Sequence, residues 1–341
     1  MAKILFFAHD PGGANAIAPL IEPLSKKNEV FIFAKGPALL KLPKAQELKK
    51  NTLETIMPDF LITGTSANDK TEKLLWQEAK KLNIKSMAIL DHWVNYGIRF
   101  SKYGLNEFEK FDKKCEFLPT YICVMDEFAK QEMSKDGVPE EIIYTLGNPH
   151  FETIIKQSKN IKDVRNNFAN EDEFLITFAS EPYIEDYGKG NEKLVLEHLL
   201  EATNGKNVKI IAKLHPKEDF SKYAGFQNLP NVVLDKASSP IEVIMASDLV
   251  ISMTSMFLIE AMILGKNILS YQPNETDSNK FILTRNKILP FVKNKEDFNA
   301  KLLNILNGER YLQYNRDMEF NAVEKITNFI NNEFTRGELC K

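Results

Sequence analysis

The segment Ser247–Pro273 constrains the fold of this chain more than any other. A short apolar stretch, Leu249–Ser252, runs into a cluster of hydroxyl side chains, and an apolar-faced helix carrying one acid, Glu260, follows. Gly265 separates that helix from a second apolar stretch, Asn267–Tyr271. Strand, polar turn, helix, glycine and strand make a βαβ unit, the building block of a parallel sheet.

The polar turn of this unit predicts a ligand. The hydroxyl groups of Ser252, Thr254 and Ser255 lie at the carboxyl end of the strand, where the ligands of such units bind. The N–H groups that begin the next helix lie there too, and with the helix dipole they favour an anion. We therefore expect this turn to hold the phosphates of a nucleotide-like ligand.

Short apolar stretches alternate with amphipathic ones along the chain, which predicts an α/β fold with parallel sheets covered on both faces. Predicted strands are Lys3–Ala8, Glu29–Ala34, Phe60–Thr63, Ser86–Leu90, Tyr121–Met125, Ile143–Leu146, Phe174–Ala179, Val208–Leu214, Val232–Leu234, Leu249–Ser252 and Ile268–Tyr271. Predicted helices include Glu192–Thr203, Ile241–Ala246, Met256–Leu264, Glu296–Asn307 and a last one from about Glu319 to Phe334.

The length of 341 residues suits two domains of ordinary size. A polar stretch rich in Lys, Asn, Asp and Glu, Lys156–Glu173, predicts the linker. We expect an N-terminal domain over residues 1–158, a C-terminal domain over 170–318, a final helix over 319–341, and a cleft between the two domains.

Composition excludes several classes of protein. Forty-four Lys and Arg nearly balance 47 Asp and Glu, so the overall field favours neither nucleic acid nor an anionic membrane. The three cysteines lack CxxC spacing and no HExxH occurs, so we expect no disulfide framework and no metal site. The first apolar run is too short for a signal peptide. We expect a cytoplasmic protein without a membrane span, and peripheral contact with the inner membrane face stays open.

Two candidate bases follow the first predicted strand. His9 and Asp10 come directly after it, and Gly12, Gly13 and Asn15 belong to a turn that opens the next helix. Paired glycines let backbone approach a donor closely, and a histidine or aspartate at a strand end can remove a proton. The spacing matches neither GxGxxG nor a P-loop. The alternative is that Asp10 only caps the helix while His9 packs against the loop.

A second acid–imidazole pair, Asp91 and His92, follows the strand Ser86–Leu90, with Trp93 beside it. The acid can orient the imidazole for base catalysis, and the indole can carry the face of a sugar. A buried structural pair with Trp93 as core filling is the alternative.

Cations and hydroxyls follow two strands of the second half. Lys213, His215 and Lys217 surround the end of one strand and can donate to a phosphate, although a solvated charge cluster is the alternative. Ser180 and Glu181 follow the strand Phe174–Ala179 and are further candidates for donor binding.

Taken together, these motifs resemble the GT-B superfamily of nucleotide-sugar glycosyltransferases, UDP-GlcNAc 2-epimerases and CDP-glycerol transferases. The likeness rests on the turn Asp10–Asn15, the turn Gly147–Pro149, the basic stretch Lys213–Glu218 and the segment Ser252–Gly265. It implies two facing Rossmann-like domains with an interdomain cleft. It also implies that the C-terminal domain holds the nucleotide and the N-terminal domain the acceptor, and that a final helix crosses back to the first domain.

The resemblance also implies roles for single residues. Glu260 matches the acid that holds the ribose, and Ser252, Thr254 and Ser255 match the diphosphate loop. Many retaining members carry two glutamates separated by seven residues; here the first position is Ser252, which argues against a retaining mechanism. Several inverting members place the base just after strand one, where this chain has His9 and Asp10.

We therefore expect an inverting glycosyltransferase, without metal or other cofactor, that passes sugar from a nucleotide-sugar donor to a hydroxyl of a surface glycan, lipid-linked acceptor or glycoprotein. A UDP-GlcNAc 2-epimerase or hydrolase is the first alternative, although the epimerase signatures Gly-Gly-Ile-Gln-Glu-Glu and His-Gly-Asp are replaced by Met256–Glu260 and Asp91–Trp93. A CDP-glycerol-type transferase and a non-catalytic sugar-nucleotide binder are the others.

Overall fold

The computed structural model describes residues 1–42, 44–162, 164–187, 190–310 and 321–339. The chain divides into two compact units, one formed by Met1–Thr153 with the segment Asp317–Lys341 and the other by Ile154–Arg316. Each unit is built on one parallel sheet, so the predicted α/β class is confirmed. The predicted boundary between residues 318 and 319 lies outside the described residues.

The first unit contains seven strands and four complete helices before the chain enters the second unit within α5. The strands are β1 Lys3–Ala8, β2 Glu29–Ala34, β3 Gln46–Glu47, β4 Phe60–Thr63, β5 Lys85–Ile89, β6 Tyr121–Val124 and β7 Ile143–Thr145. The helices are α1 Pro11–Ser25, α2 Thr52–Ile56, α3 Thr71–Lys81, α4 Glu127–Lys135 and α5 Pro149–Ser158. Short 3-10 helices cover Gly36–Leu40, Gly97–Phe100, Leu105–Lys110 and Glu140–Ile142.

The order of the first sheet is β3-β2-β1-β4-β5-β6-β7. The central strand β1 pairs in parallel with β2 and with β4, and its residues from Ile4 to Ala8 are fully buried. Such apolar runs are expected where helices cover both faces of a sheet. The strand order reverses between β1 and β4, which is where ligands bind in open parallel sheets of this kind.

The second unit repeats this plan with five strands. These are β8 Phe174–Ala179, β9 Val208–Lys213, β10 Val232–Asp235, β11 Leu249–Ser252 and β12 Asn267–Ser270. The helices are α6 Tyr183–Tyr187, α7 Glu192–Thr203, α8 Pro240–Ala246, α9 Met256–Ile263, α10 Ile282–Arg285 and α11 Lys295–Leu306, with 3-10 helices over Arg165–Asn167, Phe220–Phe226 and Ser278–Lys280. The sheet order is β10-β9-β8-β11-β12, all parallel, and it reverses between β8 and β11.

A last helix, α12 Ala322–Leu339, belongs to the first unit and packs against α1. Ile326 and Ile330 are fully buried in the same core cluster as β1, and the ring of Phe329 meets Tyr121 edge-on at 5.0 Å between centroids. Glu333 of this helix accepts a hydrogen bond of 2.7 Å from Lys85 Nζ. In the described residues, none of the helices is long and apolar enough to cross a membrane.

Because α12 fills the core of the first unit, truncating its buried side chains should destabilise that unit. We expect Ile326→Ala to lower the free energy of unfolding by about 2–5 kcal/mol, the usual loss for a buried isoleucine that leaves a cavity. Chemical denaturation followed by circular dichroism measures this loss. The matched control is Asn328→Ala at an exposed position of the same helix, which should change stability by less than about 0.5 kcal/mol. Equal effects of both variants would contradict this packing.

Candidate functional site

The polar side chains of each unit gather at the carboxyl ends of the strands that flank the reversal in strand order. In the first unit these are the loops after β1 and β4, and in the second the loops after β8 and β11.

His9 and Asp10 form a pair at the end of β1. Asp10 stands at the N-cap position of α1, but its side chain caps no backbone N–H. It lies 2.7 Å from His9 Nδ1 instead, so the alternative that Asp10 only caps the helix is wrong. Because a carboxylate only accepts, the proton of this contact belongs to Nδ1, and Nε2 is left as the basic nitrogen.

A second carboxylate, Asp69, lies 3.5 Å from His9 Nε2. Burial alone would raise the pKa of Asp69, but hydrogen bonds from Thr71, the charge of His9 and a hydrogen bond from Lys35 together lower it. Asp69 is therefore ionised at neutral pH. The imidazole lies between two acids, and the positive charge that it gains on accepting a proton is stabilised on both sides.

Glu72 at the start of α3 fixes the backbone of this pair. Its Oε1 accepts from the His9 N–H at 3.1 Å and from the Ser66 hydroxyl at 2.9 Å, which ties the loop after β1 to the loop after β4. Only 1% of Glu72 is exposed, and burial raises the pKa of its carboxyl to about 7. Its Oε2 has no hydrogen-bond partner in the part of the chain that the structure describes.

The glycines of the first turn serve close packing. A Cβ added to Gly12 would lie 1.9 Å from Asp91 Oδ2, and one added to Gly64 would lie 2.6 Å from the Cα of Gly13. The turn after β1 therefore approaches the loops after β4 and β5 more closely than any side chain allows. Asn15 lies half-buried one turn into α1.

Asp91 and His92 differ from the pair at the end of β1. Asp91 Oδ1 accepts from Arg99 Nη1 at 2.9 Å, and the same Nη1 donates to the carbonyl and hydroxyl of Thr65 at 2.8 Å each. This buried ion pair is an orienting element for the loops. Trp93 is 2% exposed, and its ring stacks on Phe151 with 5.8 Å between the centroids. The indole was expected to carry the face of a sugar, but here it packs in the core.

In the second unit, the carboxylate of Glu181 is surrounded by donors of the loop that follows β11. Its Oε1 accepts from the Ser252 hydroxyl at 2.9 Å and from the N–H groups of Met253 and Thr254 at 3.0 and 2.7 Å. Its Oε2 accepts from the Thr254 hydroxyl at 2.6 Å. Burial raises the pKa of Glu181, and these hydrogen bonds oppose that rise. Ser252 and Thr254 were expected to face a diphosphate; here they donate to Glu181 and organise the loop.

A second buried acid, Glu218, links the loops after β8 and β9. Its Oε1 accepts from the Ser180 hydroxyl and its Oε2 from the His215 N–H, each at 2.6 Å. Because Ser180 precedes Glu181, the ends of β8, β9 and β11 form one connected network. Ser180 and Glu181, both predicted to bind donor, hold this network together through contacts within the protein.

The ring of His215 is oriented by its own turn. Its Nδ1 accepts from the Lys217 N–H at 3.2 Å, so the neutral imidazole carries its proton on Nε2. His215 is half-buried and Lys217 is exposed. The Nε2–H group is a donor of the kind that a phosphate oxygen accepts.

Lys213 was expected to offer its charge to a phosphate. Instead its ammonium, 8% exposed, donates to Asp235 Oδ2 and to the Ser238 carbonyl at 2.6 Å each. The pair ties β9 to β10 and neutralises the lysine locally. Lys213 pairs with Asp235 because β10 lies next to β9 in the sheet and places this acid beside the end of β9.

One set of three carboxylates among the described residues lies close enough to hold a metal ion: Glu185, Glu192 and Glu218. The ammonium of Lys222 donates to all three, at 3.0, 2.6 and 2.5 Å. Lys222 therefore supplies one positive charge to a cluster of three carboxyl groups.

The start of α9 has backbone N–H groups that can donate hydrogen bonds to a ligand. Ser255 is the N-cap and accepts from the Phe257 N–H at 3.2 Å. Within the described structure, the N–H groups of Ser255 and Met256 donate to no protein acceptor. These are the groups that hold anions at helix N-termini. Glu260 follows one turn later on α9 and is half-buried.

A cavity of about 450 Å³ lies elsewhere in this unit, at the amino ends of the strands. Phe174, Asp248 and Asn267, which begin or precede β8, β11 and β12, line it. It is on the edge of the sheet opposite to the loops described above. Two cations line it, Lys266 and Arg310, and Lys266 donates to the carbonyls of Met245 and Ser247.

Sequence comparison identifies no relative: no protein-family model matches, and no curated protein matches either. Structure comparison identifies similar proteins. The UDP-GlcNAc 2-epimerase from Methanocaldococcus jannaschii, in complex with UDP-GlcNAc and UDP, matches with a TM-score of 0.71 at 15% identity over 97% of this chain and 99% of that one. The chain has the GT-B fold.

Two further solved structures agree with this assignment of the fold. The UDP-GlcNAc 2-epimerase from Neisseria meningitidis, bound to UDP-GlcNAc, matches with a TM-score of 0.70 at 16% identity over 97% of this chain and all of that one. The wall teichoic acid polymerase TagF matches with a TM-score of 0.58 at 14% identity over 98% of this chain and 89% of that one. These structural matches establish the GT-B fold. At identities this low they do not identify the reaction, which has to be inferred from the site residues.

The raised pKa of Glu72 predicts a pH dependence of stability. The folded protein binds this proton more tightly than the unfolded chain does, so the free energy of unfolding should fall as the pH rises from about 4.5 to about 7. The share of Glu72 is at most about 3 kcal/mol, since one pKa unit corresponds to about 1.4 kcal/mol. Glu72→Gln stays neutral and should flatten this part of the profile.

Chemical denaturation at a series of pH values across this window measures the profile. Glu109→Gln, at an exposed position of the same unit, is the control and should follow the wild-type curve. A Glu72→Gln profile parallel to wild type would show that the buried carboxyl has no raised pKa.

Proposed function

We propose that the protein is an inverting glycosyltransferase that needs no metal ion or other cofactor and transfers sugar from a nucleotide-sugar donor to a hydroxyl acceptor. The observation that carries this proposal is the set of unfilled donors at the start of α9, held in place by Glu181 and joined to His215 through the network of Glu218. A preorganised set of donors at a strand end suits a negatively charged leaving group.

The donor's phosphates accept hydrogen bonds from the N–H groups of Ser255 and Met256, from the Ser255 hydroxyl and from His215 Nε2–H. The dipole of α9 adds to this attraction. Glu260, one turn further along α9, accepts hydrogen bonds from the ribose hydroxyls. Ser252 and Thr254 act indirectly, because their hydroxyls donate to Glu181 and fix the course of the loop.

His9 is the proposed base. Its Nε2 accepts the proton of the acceptor hydroxyl during attack on the sugar, and Asp10 holds the tautomer and stabilises the imidazolium that forms. The developing charge on the departing nucleotide is stabilised by the donors at α9 and by His215, so metal assistance is not required. Asp91 is a positioning residue through its contact with Arg99.

The acceptor proposed for this enzyme is a surface glycan such as capsule or lipopolysaccharide, a glycoprotein or a lipid-linked precursor, in the cytoplasm. UDP is the first nucleotide to test, because structurally similar epimerases were solved with UDP-GlcNAc or UDP.

A nucleotide-sugar 2-epimerase or hydrolase is the second candidate. The epimerases match this chain with TM-scores of 0.69 to 0.71, above the 0.57 and 0.58 of the teichoic acid polymerase, which favours this candidate. The replacement of both epimerase signatures in the sequence argues against it. Product analysis without an acceptor separates the two: a 2-epimer or free sugar formed at turnover speed would identify the second candidate.

The proposed phosphate contact predicts that His215→Ala weakens nucleotide binding. We expect the dissociation constant for UDP to rise about tenfold, because one hydrogen bond to a charged group contributes about 1.5–3 kcal/mol. Titration calorimetry with UDP, GDP, ADP and CDP measures the affinity and the base preference. His198→Ala is the matched control, because His198 is bonded to the Tyr271 hydroxyl instead. Unchanged affinity in His215→Ala would remove this residue from the donor site.

The proposed base predicts a separate effect on turnover. We expect His9→Ala to lower the rate of sugar transfer about 10²- to 10⁴-fold, with nucleotide affinity unchanged. Asp10→Asn should lower the rate less, because the imidazole keeps its Nε2 but loses the charge that stabilises its protonated form. Steady-state assays with donor and acceptor measure both. Full turnover in both variants would mean that another group removes the proton.

A further inference from the structure

A pair of leucines is exposed on the first unit. Leu39 and Leu40 end the 3-10 helix Gly36–Leu40, and they are 44% and 90% exposed. In the described part of the chain, no other two consecutive large apolar side chains are exposed. Single exposed leucines are common and need no explanation, whereas an adjacent pair that protrudes marks an interaction surface.

Several lysines lie near this pair along the chain. Between residues 35 and 50 the chain has five lysines and one glutamate, although its overall net charge is −3. Lys35 is used within the protein, since it pairs with Asp69. Lys41, Lys44, Lys49 and Lys50 are exposed and form no ion pair with any described residue. We call the two leucines and these four lysines the Leu-Lys surface.

The backbone holds the leucines outward. Ala38 is fully buried, and its N–H donates to the His9 carbonyl at 2.9 Å. The carbonyl of Ala38 accepts from the N–H groups of Lys41 and Leu42, and Leu42 is 1% exposed. Ala38 and Leu42 therefore anchor the turn in the core on either side of the exposed leucines, whose exposure is a property of a fixed turn.

We propose that the Leu-Lys surface docks the protein on an anionic lipid bilayer. The leucines enter the boundary between headgroups and acyl chains, where burial of apolar area is favourable. The lysines lie at the level of the headgroups, where each adds to the attraction toward an anionic surface. A polyanion such as nucleic acid would use the lysines but leave the protruding leucines in water, so it fits this surface less well.

This surface is next to the proposed base. Gly36 begins the same 3-10 helix, and a Cβ added to it would lie 2.7 Å from His9 Nε2. Docking therefore brings the bilayer close to the end of β1, where a lipid-linked acceptor would present its hydroxyl. This link to the acceptor rests on the proposed function, whereas docking itself does not.

Vesicle sedimentation of the full chain tests the proposal without donor or turnover. We expect the wild type to sediment with vesicles of phosphatidylcholine mixed with phosphatidylglycerol, and about tenfold or more weakly with phosphatidylcholine alone or at high salt. The double variants Leu39→Ser/Leu40→Ser and Lys41→Glu/Lys44→Glu should each lower the affinity for anionic vesicles by about tenfold or more.

Matched controls carry the same changes elsewhere. Leu303→Ser alters a leucine of α11 that is 46% exposed, and Lys80→Glu/Lys81→Glu alters exposed lysines at the end of α3. Both should bind vesicles like the wild type. Circular dichroism confirms that every variant is folded.

Three results would overturn the proposal: a wild type that stays in solution with anionic vesicles, a leucine variant that sediments like the wild type, or controls that lose binding equally. Loss in the lysine variant alone, with equal binding to heparin, would assign the surface to a polyanion. Because nucleotide affinity and sugar transfer are measured separately, failure of docking is distinguishable from failure of the proposed function.

Discussion

A parallel sheet covered on both faces by helices leaves only the strand ends for polar side chains, and this constraint determines where chemistry can occur in each unit. The central strands β1, β4, β8 and β11 are almost wholly apolar. Charged groups are therefore confined to the loops that follow them. Both sheets reverse their order beside the first strand of the unit, so each has one reversal point where ligands of such sheets bind.

Two buried acids show how these loops are fixed. Glu72 joins the loops after β1 and β4, and Glu181 joins the ends of β8 and β11. Each replaces water as the acceptor for backbone N–H and hydroxyl donors that would otherwise be unpaired in a dry interior. The candidate base and the candidate phosphate site are therefore held in place by acids that take no part in the proposed reaction.

The elements of both sheets were predictable because their apolar runs are long and bounded by turn residues. The predicted strand Phe174–Ala179 coincides with β8, and the predicted helix Met256–Leu264 differs from α9 by one residue. The two-residue strand β3 was missed, because its polar residues pair only at an edge. Pairings of polar side chains were less predictable. Lys213 forms an ion pair with Asp235 on the adjacent strand, and spacing along the chain does not reveal this partner.

The buried position of Glu72 and its role in joining two loops were also not predicted. Glu72 lies in a helix in which five of the eleven residues are charged, and nothing in the pattern marks one glutamate as buried. The available signal was the neighbouring loop after β4, Gly64-Thr65-Ser66, whose small polar residues follow a strand adjacent to β1. Strand order has to be known before such a signal can be interpreted.

The position of α12 has a consequence for how the chain is made. This helix is translated after the whole second unit, yet its isoleucines fill the core of the first. On the ribosome, the second unit can close as soon as it emerges, while the face of α1 that receives α12 stays exposed to solvent. Completion of the first unit is thus delayed until α12 has been translated, and in this interval its open apolar face suits capture by a chaperone.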